Sequence, residues 1–202
     1  VVVFDLDETL GHFSELGLFW DGLEEYTDMK LDSMDMRALL DTYPEFIRPN
    51  ILAILNYLKI LKNNGACHKV MIYTNNQGPR EWALSIKDYF EYKLNYPLFD
   101  RVISAFKIGN EVIEPKRTTH DKTVNDFFNC TKLPRNSQIC FIDDQYHPEM
   151  TGDNVYYVYL KPYKYHLFPD EMLERFDHCL LRKYIKGDKE KFRRYMLNYM
   201  KN

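Results

Sequence analysis

No stretch of the chain approaches the about 20 consecutive apolar residues needed to cross a bilayer, and no secretory leader is legible at its start. A membrane protein is therefore not expected, and an intracellular location, in cytoplasm or nucleus rather than outside the cell, fits best. An excess of positive charge is also missing: with a formal net charge of −3 there is no broad cationic field, so strong nucleic-acid binding is not expected. The four cysteines, Cys67, Cys130, Cys140 and Cys179, include no Cys-x-x-Cys pair, which argues against a disulfide framework or a zinc site. His120 and His147 lack the spacing of histidine metal ligands. There is no internal repeat and no low-complexity segment. The chain begins inside an apolar run without an initiator Met, so a trimmed or partial product is expected.

What is present starts at that first run. Val1-Val2-Val3-Phe4 leads straight into Asp5-Leu6-Asp7-Glu8-Thr9-Leu10. Four apolar residues read as a strand buried on both faces, and the two aspartates then emerge at its C-terminal end, where open α/β sheets bind ligands. Carboxylates this close repel unless a cation lies between them or one holds a proton.

Two more apolar runs end in polar groups. Lys69-Val70-Met71-Ile72-Tyr73 delivers Thr74-Asn75-Asn76, and Ser137-Gln138-Ile139-Cys140-Phe141-Ile142 delivers Asp143-Asp144. Between them Lys116 precedes Thr118-Thr119, read as the N-cap of a helix carrying Val124, Phe127 and Phe128. Strands alternating with helical stretches imply parallel βαβ units, so Asp5, Asp7, Thr74, Lys116 and Asp143 can converge in one crevice.

These four segments resemble, in order and rough spacing, the motifs of haloacid dehalogenase superfamily phosphatases, over about residues 1 to 160. Within that superfamily Asp-Leu-Asp-Glu-Thr-Leu, with Arg48-Pro49 opening the helix before the second motif, is most similar to the phosphatases of the RNA polymerase II C-terminal domain and the NLI-interacting-factor type. The chain departs from them at Asn75-Asn76 and Gln145-Tyr146, where they usually carry Ala-Ser and Ser-Pro. The resemblance implies Asp5 as nucleophile, Asp7 as acid and base, Thr74 and Lys116 binding the phosphoryl oxygens, and Asp144 supporting the metal. Mg²⁺, a hard cation favouring oxygen ligands, would be held by Asp5, Asp143 and the Asp7 carbonyl. Lys122 competes with Lys116 for the third motif; Lys116 is preferred because a lysine just before an N-cap approaches the crevice. Asn75 and Asn76 bind phosphate or shape their loop.

The 202 residues, 45% hydrophobic, suffice for one substantial core. The expected fold is a Rossmann-like parallel α/β sheet flanked by helices. Residues 1 to 165 would form the catalytic domain and 166 to 202 a helical extension broken at Gly187. Residues 11 to 47 would be a flap or minimal cap with one short helix. In the last helix Phe192, Tyr195, Met196 and Tyr199 share a face, for the core or for a partner. The expected activity is Mg²⁺-dependent hydrolysis of a phosphomonoester through a phospho-aspartate, on a phosphoprotein because so small a cap leaves the crevice open. The alternatives are a sugar or nucleotide phosphatase and a catalytically silent interaction module.

Overall fold

The computed structural model describes residues 1–201. Seven strands form in chain order: β1 (Val2–Phe4), β2 (Val70–Tyr73), β3 (Arg101–Ile103), β4 (Lys107–Ile108), β5 (Glu111–Val112), β6 (Ile139–Asp143) and β7 (Val155–Tyr159). They are rich in β-branched and aromatic residues. Five build one sheet, ordered β3-β2-β1-β6-β7, in which every pairing is parallel. The other two make an antiparallel hairpin around Gly109-Asn110.

Seven α-helices form among the described residues: α1 (Ser14–Thr27), α2 (Ser33–Thr42), α3 (Ile51–Asn63), α4 (Arg80–Leu94), α5 (Val124–Thr131), α6 (Pro169–Phe176) and α7 (Lys189–Lys201). Successive strand residues point to opposite faces. Val3, Met71, Tyr73, Ile103 and Phe141 pack with Phe127 and Phe128 of α5. Phe4, Val70, Ile72 and Val102 join the larger core built by the other helices.

The topology fixes where a ligand can sit. From β1 the chain moves to β2 on one side, whereas from β6 it moves to β7 on the other. A crevice therefore opens at the C-terminal ends of β1 and β6, the usual ligand position in doubly wound sheets.

The segment between β1 and α3 is more regular than a flap with one short helix. It forms both α1 and α2, followed by a 3-10 turn at Pro44–Phe46. In α1, Leu16, Phe19, Trp20 and Leu23 are buried, the i, i+3, i+4, i+7 pattern of an amphipathic helix. α2 starts on a reciprocal cap: Asp35 N–H donates to Asp32 Oδ1 at 3.0 Å, and Asp32 N–H donates to Asp35 Oδ2 at 2.9 Å. The C-terminal part contains α6, a 3-10 segment at Leu180–Tyr184 and α7, with Gly187 at φ +87° between the last two. No helix among the described residues is long and apolar enough to cross a membrane.

The aromatic face of α7 lies on α1. Phe192 and Met196 are buried, Tyr26 meets Phe192 at 5.0 Å between ring centroids, and the Tyr195 hydroxyl donates to Glu25 Oε1 at 2.8 Å. The approach depends on Gly22, where a Cβ would come within 2.9 Å of the Tyr199 ring and 3.2 Å of Met196. Gly22→Leu should therefore separate α7 from α1 and cost about 1–3 kcal/mol, the range for overpacked cores. Urea unfolding followed by circular dichroism measures this, and an unchanged midpoint would show that α7 does not depend on that contact.

Candidate active site

The register of the sheet builds the site. Phe4 pairs with Ile142, and Asp5 N–H donates to Ile142 O at 2.9 Å. Asp5 and Asp143 thus leave adjacent strand ends side by side. The chain then reverses: Glu8 takes a left-handed conformation with φ 62°, and its N–H donates to Gly11 O at 2.7 Å. Only glycine fits at position 11, since a Cβ there would lie 2.5 Å from Phe46 O. Arg48 fastens the loop, its Nε donating to Thr9 O at 2.6 Å and its Nη2 to Glu8 O at 2.8 Å and to Lys161 O at 2.7 Å.

Between the two strand ends sits Lys122. Its Nζ donates to Asp5 Oδ1 and to Asp143 Oδ2, each at 2.7 Å, and the side chain is 2% exposed. Burial opposes the charge on this ammonium, but Asp5 and Asp143 outweigh it and raise its pKa. Burial also works to raise the Asp143 carboxyl. The hydrogen bond from His147, together with the charge and hydrogen bond of Lys122 and the Gln145 N–H, overcomes it and holds the group below its ordinary value. His147 Nε2 lies 3.3 Å from Asp143 Oδ2, and Gln145 N–H donates to Asp143 Oδ1 at 2.8 Å.

Asp144 is the charge left over. Thr9 Oγ1 donates to Asp5 Oδ2 at 2.9 Å, lies 3.1 Å from Asp144 Oδ1, and accepts from Asp144 N–H at 3.2 Å. Burial, then the hydrogen bond and negative charge of Asp5, push the Asp144 carboxyl up to about 7. Oxygens of Asp5, Asp143 and Asp144 all lie within 4.8 Å of one another. Three buried carboxylates against one lysine leave negative charge uncompensated. Hard oxygen donors at this spacing fit a small divalent cation such as Mg²⁺.

Asp7 stands at the mouth, partly buried. Burial raises its pKa; the hydrogen bond from Asn76 opposes that, and the charge of Asp5 adds to it. Asn76 Nδ2 donates to Asp7 Oδ2 at 2.8 Å and so orients it. Thr74 is buried beneath, its hydroxyl accepting from Asn76 N–H at 3.0 Å. It does not cap α4, whose N-cap is Pro79. Asn75 faces the cleft, and its Oδ1 accepts from Arg117 Nη2 at 2.8 Å. Asp7, Asn75 and Asn76 border a cleft of about 180 Å³ that reaches from Asp5 to His147, whereas Thr74 lies behind its lining.

The lysine expected from the sequence is corrected. Lys116 is exposed and outside the cleft, and Lys122 occupies the site. The reason is the cap. The N-cap of α5 is Thr123, whose side chain accepts from Asp126 N–H at 3.0 Å. Thr118 instead donates to Asp126, from N at 2.9 Å and from Oγ1 at 3.0 Å. The rule that the lysine before the N-cap reaches the crevice holds, applied one turn further on.

Arg117, beside the expected lysine, carries a role that its sequence position gave no sign of. It is 2% exposed and has no carboxylate within ion-pair distance among the described residues. Its Nη1 donates to Ser104 O at 2.8 Å and Thr74 O at 3.2 Å, and its Nη2 to His120 O at 2.9 Å. One guanidinium thus ties the loop after β2 to the loop that delivers Lys122. Thr9 and His147 also belong to the site, beside the expected Asn75 and Asn76; Thr9 lay within the first motif, where only its aspartates drew attention.

No family model, curated protein or solved structure matches the chain.

Removing the central cation should leave buried carboxylates unpaired. Lys122→Met is expected to cost about 3–5 kcal/mol in chelator-containing buffer, as for other broken buried ion pairs, and Lys116→Met less than about 0.5 kcal/mol, as for an ordinary surface change. Chemical denaturation of the two variants beside the parent chain measures the contrast.

Proposed function

We propose that the protein is a Mg²⁺-dependent phosphomonoesterase that works through a phospho-aspartyl intermediate, as the resemblance to haloacid dehalogenase phosphatases implies. The observation that supports it most is the pair Asp5 and Asp143 at adjacent strand ends, bridged by buried Lys122, with Asp7 two residues on. Phosphoryl transfer asks a protein for positioning and charge neutralisation, and this arrangement offers both.

Lys122 and Thr9 grip the two oxygens of Asp5, fixing the carboxylate for attack on phosphorus. In the first step an Asp5 oxygen bonds to phosphorus, the ester P–O bond breaks, and Asp7 gives its proton to the departing oxygen. In the second, Asp7 takes a proton from water, whose oxygen attacks the phosphorus and releases phosphate and the Asp5 carboxylate. A raised pKa suits Asp7 to hold the first proton, and Asn76 keeps it aimed. Lys122 would offset charge on the phosphoryl oxygens in place of the lysine first expected, with Asn75 and Asn76 at the rim. Mg²⁺, when bound by Asp5 and Asp143 with Asp144 beside them, would supply charge neutralisation and a template for the phosphoryl group. The preferred substrate is a phosphoserine or phosphothreonine protein.

Asp5→Asn should abolish phosphate release from p-nitrophenyl phosphate while the chain still unfolds cooperatively, because an amide cannot displace the ester. Asp7→Asn should lower turnover by about 100- to 10,000-fold, the span of general acid catalysis. Excess chelator should stop the parent enzyme and Mg²⁺ should restore it. Turnover by Asp5→Asn close to that of the parent chain, or full activity in chelator, would overturn the assignment.

A further inference from the structure

A second hollow, of about 670 Å³, opens directly beside the cleft and shares Asp7 and Asn76 with it. Since Asn76 donates to Asp7, this hydrogen-bonded pair is the sill between the two. The walls of the hollow are α1 and the start of α4. Trp20 and Trp82, edge to face at 5.9 Å, line it together with Leu31 and Pro79.

Its charge is one-sided. Asp21, Glu24 and Glu81 face the hollow against a single cation, Lys30. Lys30 is 3.6 Å from Glu24 Oε1, and Glu24 Oε2 already accepts from Leu31 N–H at 2.9 Å. Asp21 and Glu81 have no basic partner among the described residues. An aromatic surface flanked by unpaired carboxylates attracts an organic cation, by charge and by cation–π contact.

We propose that this groove holds the residues beside the phosphorylated serine or threonine of a basic phosphopeptide, with a lysine or arginine set between Asp21 and Glu81 and against the tryptophans. The proposal rests on the phosphatase reading of the neighbouring cleft and names its substrate. The cleft itself has room for a phosphoryl group and little more, so the rest of any substrate must lie outside it. A nucleotide with further phosphates would bring anions to a wall of carboxylates, and a neutral sugar, though able to stack on the tryptophans, would leave Asp21 and Glu81 without a counter-charge. At about 30 Å³ per water molecule the groove has room for about twenty waters, hence for several amino-acid residues, well beyond a single small cation.

The experiment uses short phosphoserine peptides in which lysine, alanine or glutamate is scanned through the flanking positions, with p-nitrophenyl phosphate, nucleotides and phosphocholine alongside. At one or more positions kcat/KM should be at least about tenfold higher for lysine than for glutamate, equivalent to about 1.4 kcal/mol. The double variant Asp21→Lys, Glu81→Lys should reverse that order. Binding is read separately, because Trp20 and Trp82 are the only two tryptophans of the chain, so their fluorescence reports occupation of the groove whether or not turnover follows. A saturable change with the lysine peptide, absent with the glutamate peptide and lost in the double variant, supports the groove assignment. If no ester is hydrolysed yet fluorescence discriminates the peptides, the phosphatase reading fails and the groove assignment stands. If p-nitrophenyl phosphate turns over but peptide charge alters neither kcat/KM nor fluorescence, or if phosphocholine or a nucleotide outperforms every peptide, the groove assignment is overturned and the phosphatase reading remains.

Discussion

The ammonium of Lys122, held between Asp5 and Asp143, is the contact on which the architecture of the site depends. Two carboxylates at neighbouring strand ends, a strand spacing apart, would repel strongly in a buried setting. One fully enclosed cation makes the arrangement tenable. Its placement requires three independent features: the parallel register of β1 with β6, the Thr123 cap that ends the preceding loop, and the Arg117 guanidinium that holds that loop down. Disturbing any one of them moves charge among buried carboxylates.

Three buried or half-buried cations build this centre, and the lysine finds a different kind of counterpart from the two arginines. Lys122 meets carboxylates. Arg117 meets backbone carbonyls, an amide oxygen and the Tyr73 ring, 4.9 Å from its guanidinium carbon. Arg48 meets the carbonyls of the loop that carries Asp5 and Asp7. The two arginines use their planar forks to join segments distant in sequence, for which a lysine is poorly suited. Their charges thereby position backbone, while the compact lysine charge stays next to the reacting groups.

Much of this was legible in the sequence, for identifiable reasons. Apolar runs ending abruptly in Asp5, Thr74 and Asp143 fixed three strands and their common edge, because a buried strand has few other ways to be written. The Lys116 expectation failed because threonines at 118, 119 and 123 are equally good caps in isolation; Asp126, whose carboxylate accepts from Thr118 and whose N–H donates to Thr123, decides between them only in three dimensions. The helix α1 was obscured by Gly17, Asp21 and Gly22, which read as breakers in sequence but in the fold line the groove or admit α7. Arg117 could not be told from any surface arginine, since burial of a cation without a carboxylate leaves no mark on local pattern.

The strand that carries Asp5 is also the middle of the sheet, and this has a consequence for how the chain is made. Val2 pairs with Val70 on one side and with Cys140 on the other. At the usual pace of synthesis, about 5–20 residues per second, the second partner follows the first strand by on the order of ten seconds. During that interval an apolar ribbon, Val1-Val2-Val3-Phe4, has an unsealed edge, the kind of surface on which nascent chains associate. The acidic groups that immediately follow it are then fully hydrated and mutually repelling, and they make the ribbon a poor template for a neighbour. The same charges that must later be neutralised in the finished crevice therefore flank the ribbon while its edge is open, where charge beside an apolar strand opposes association.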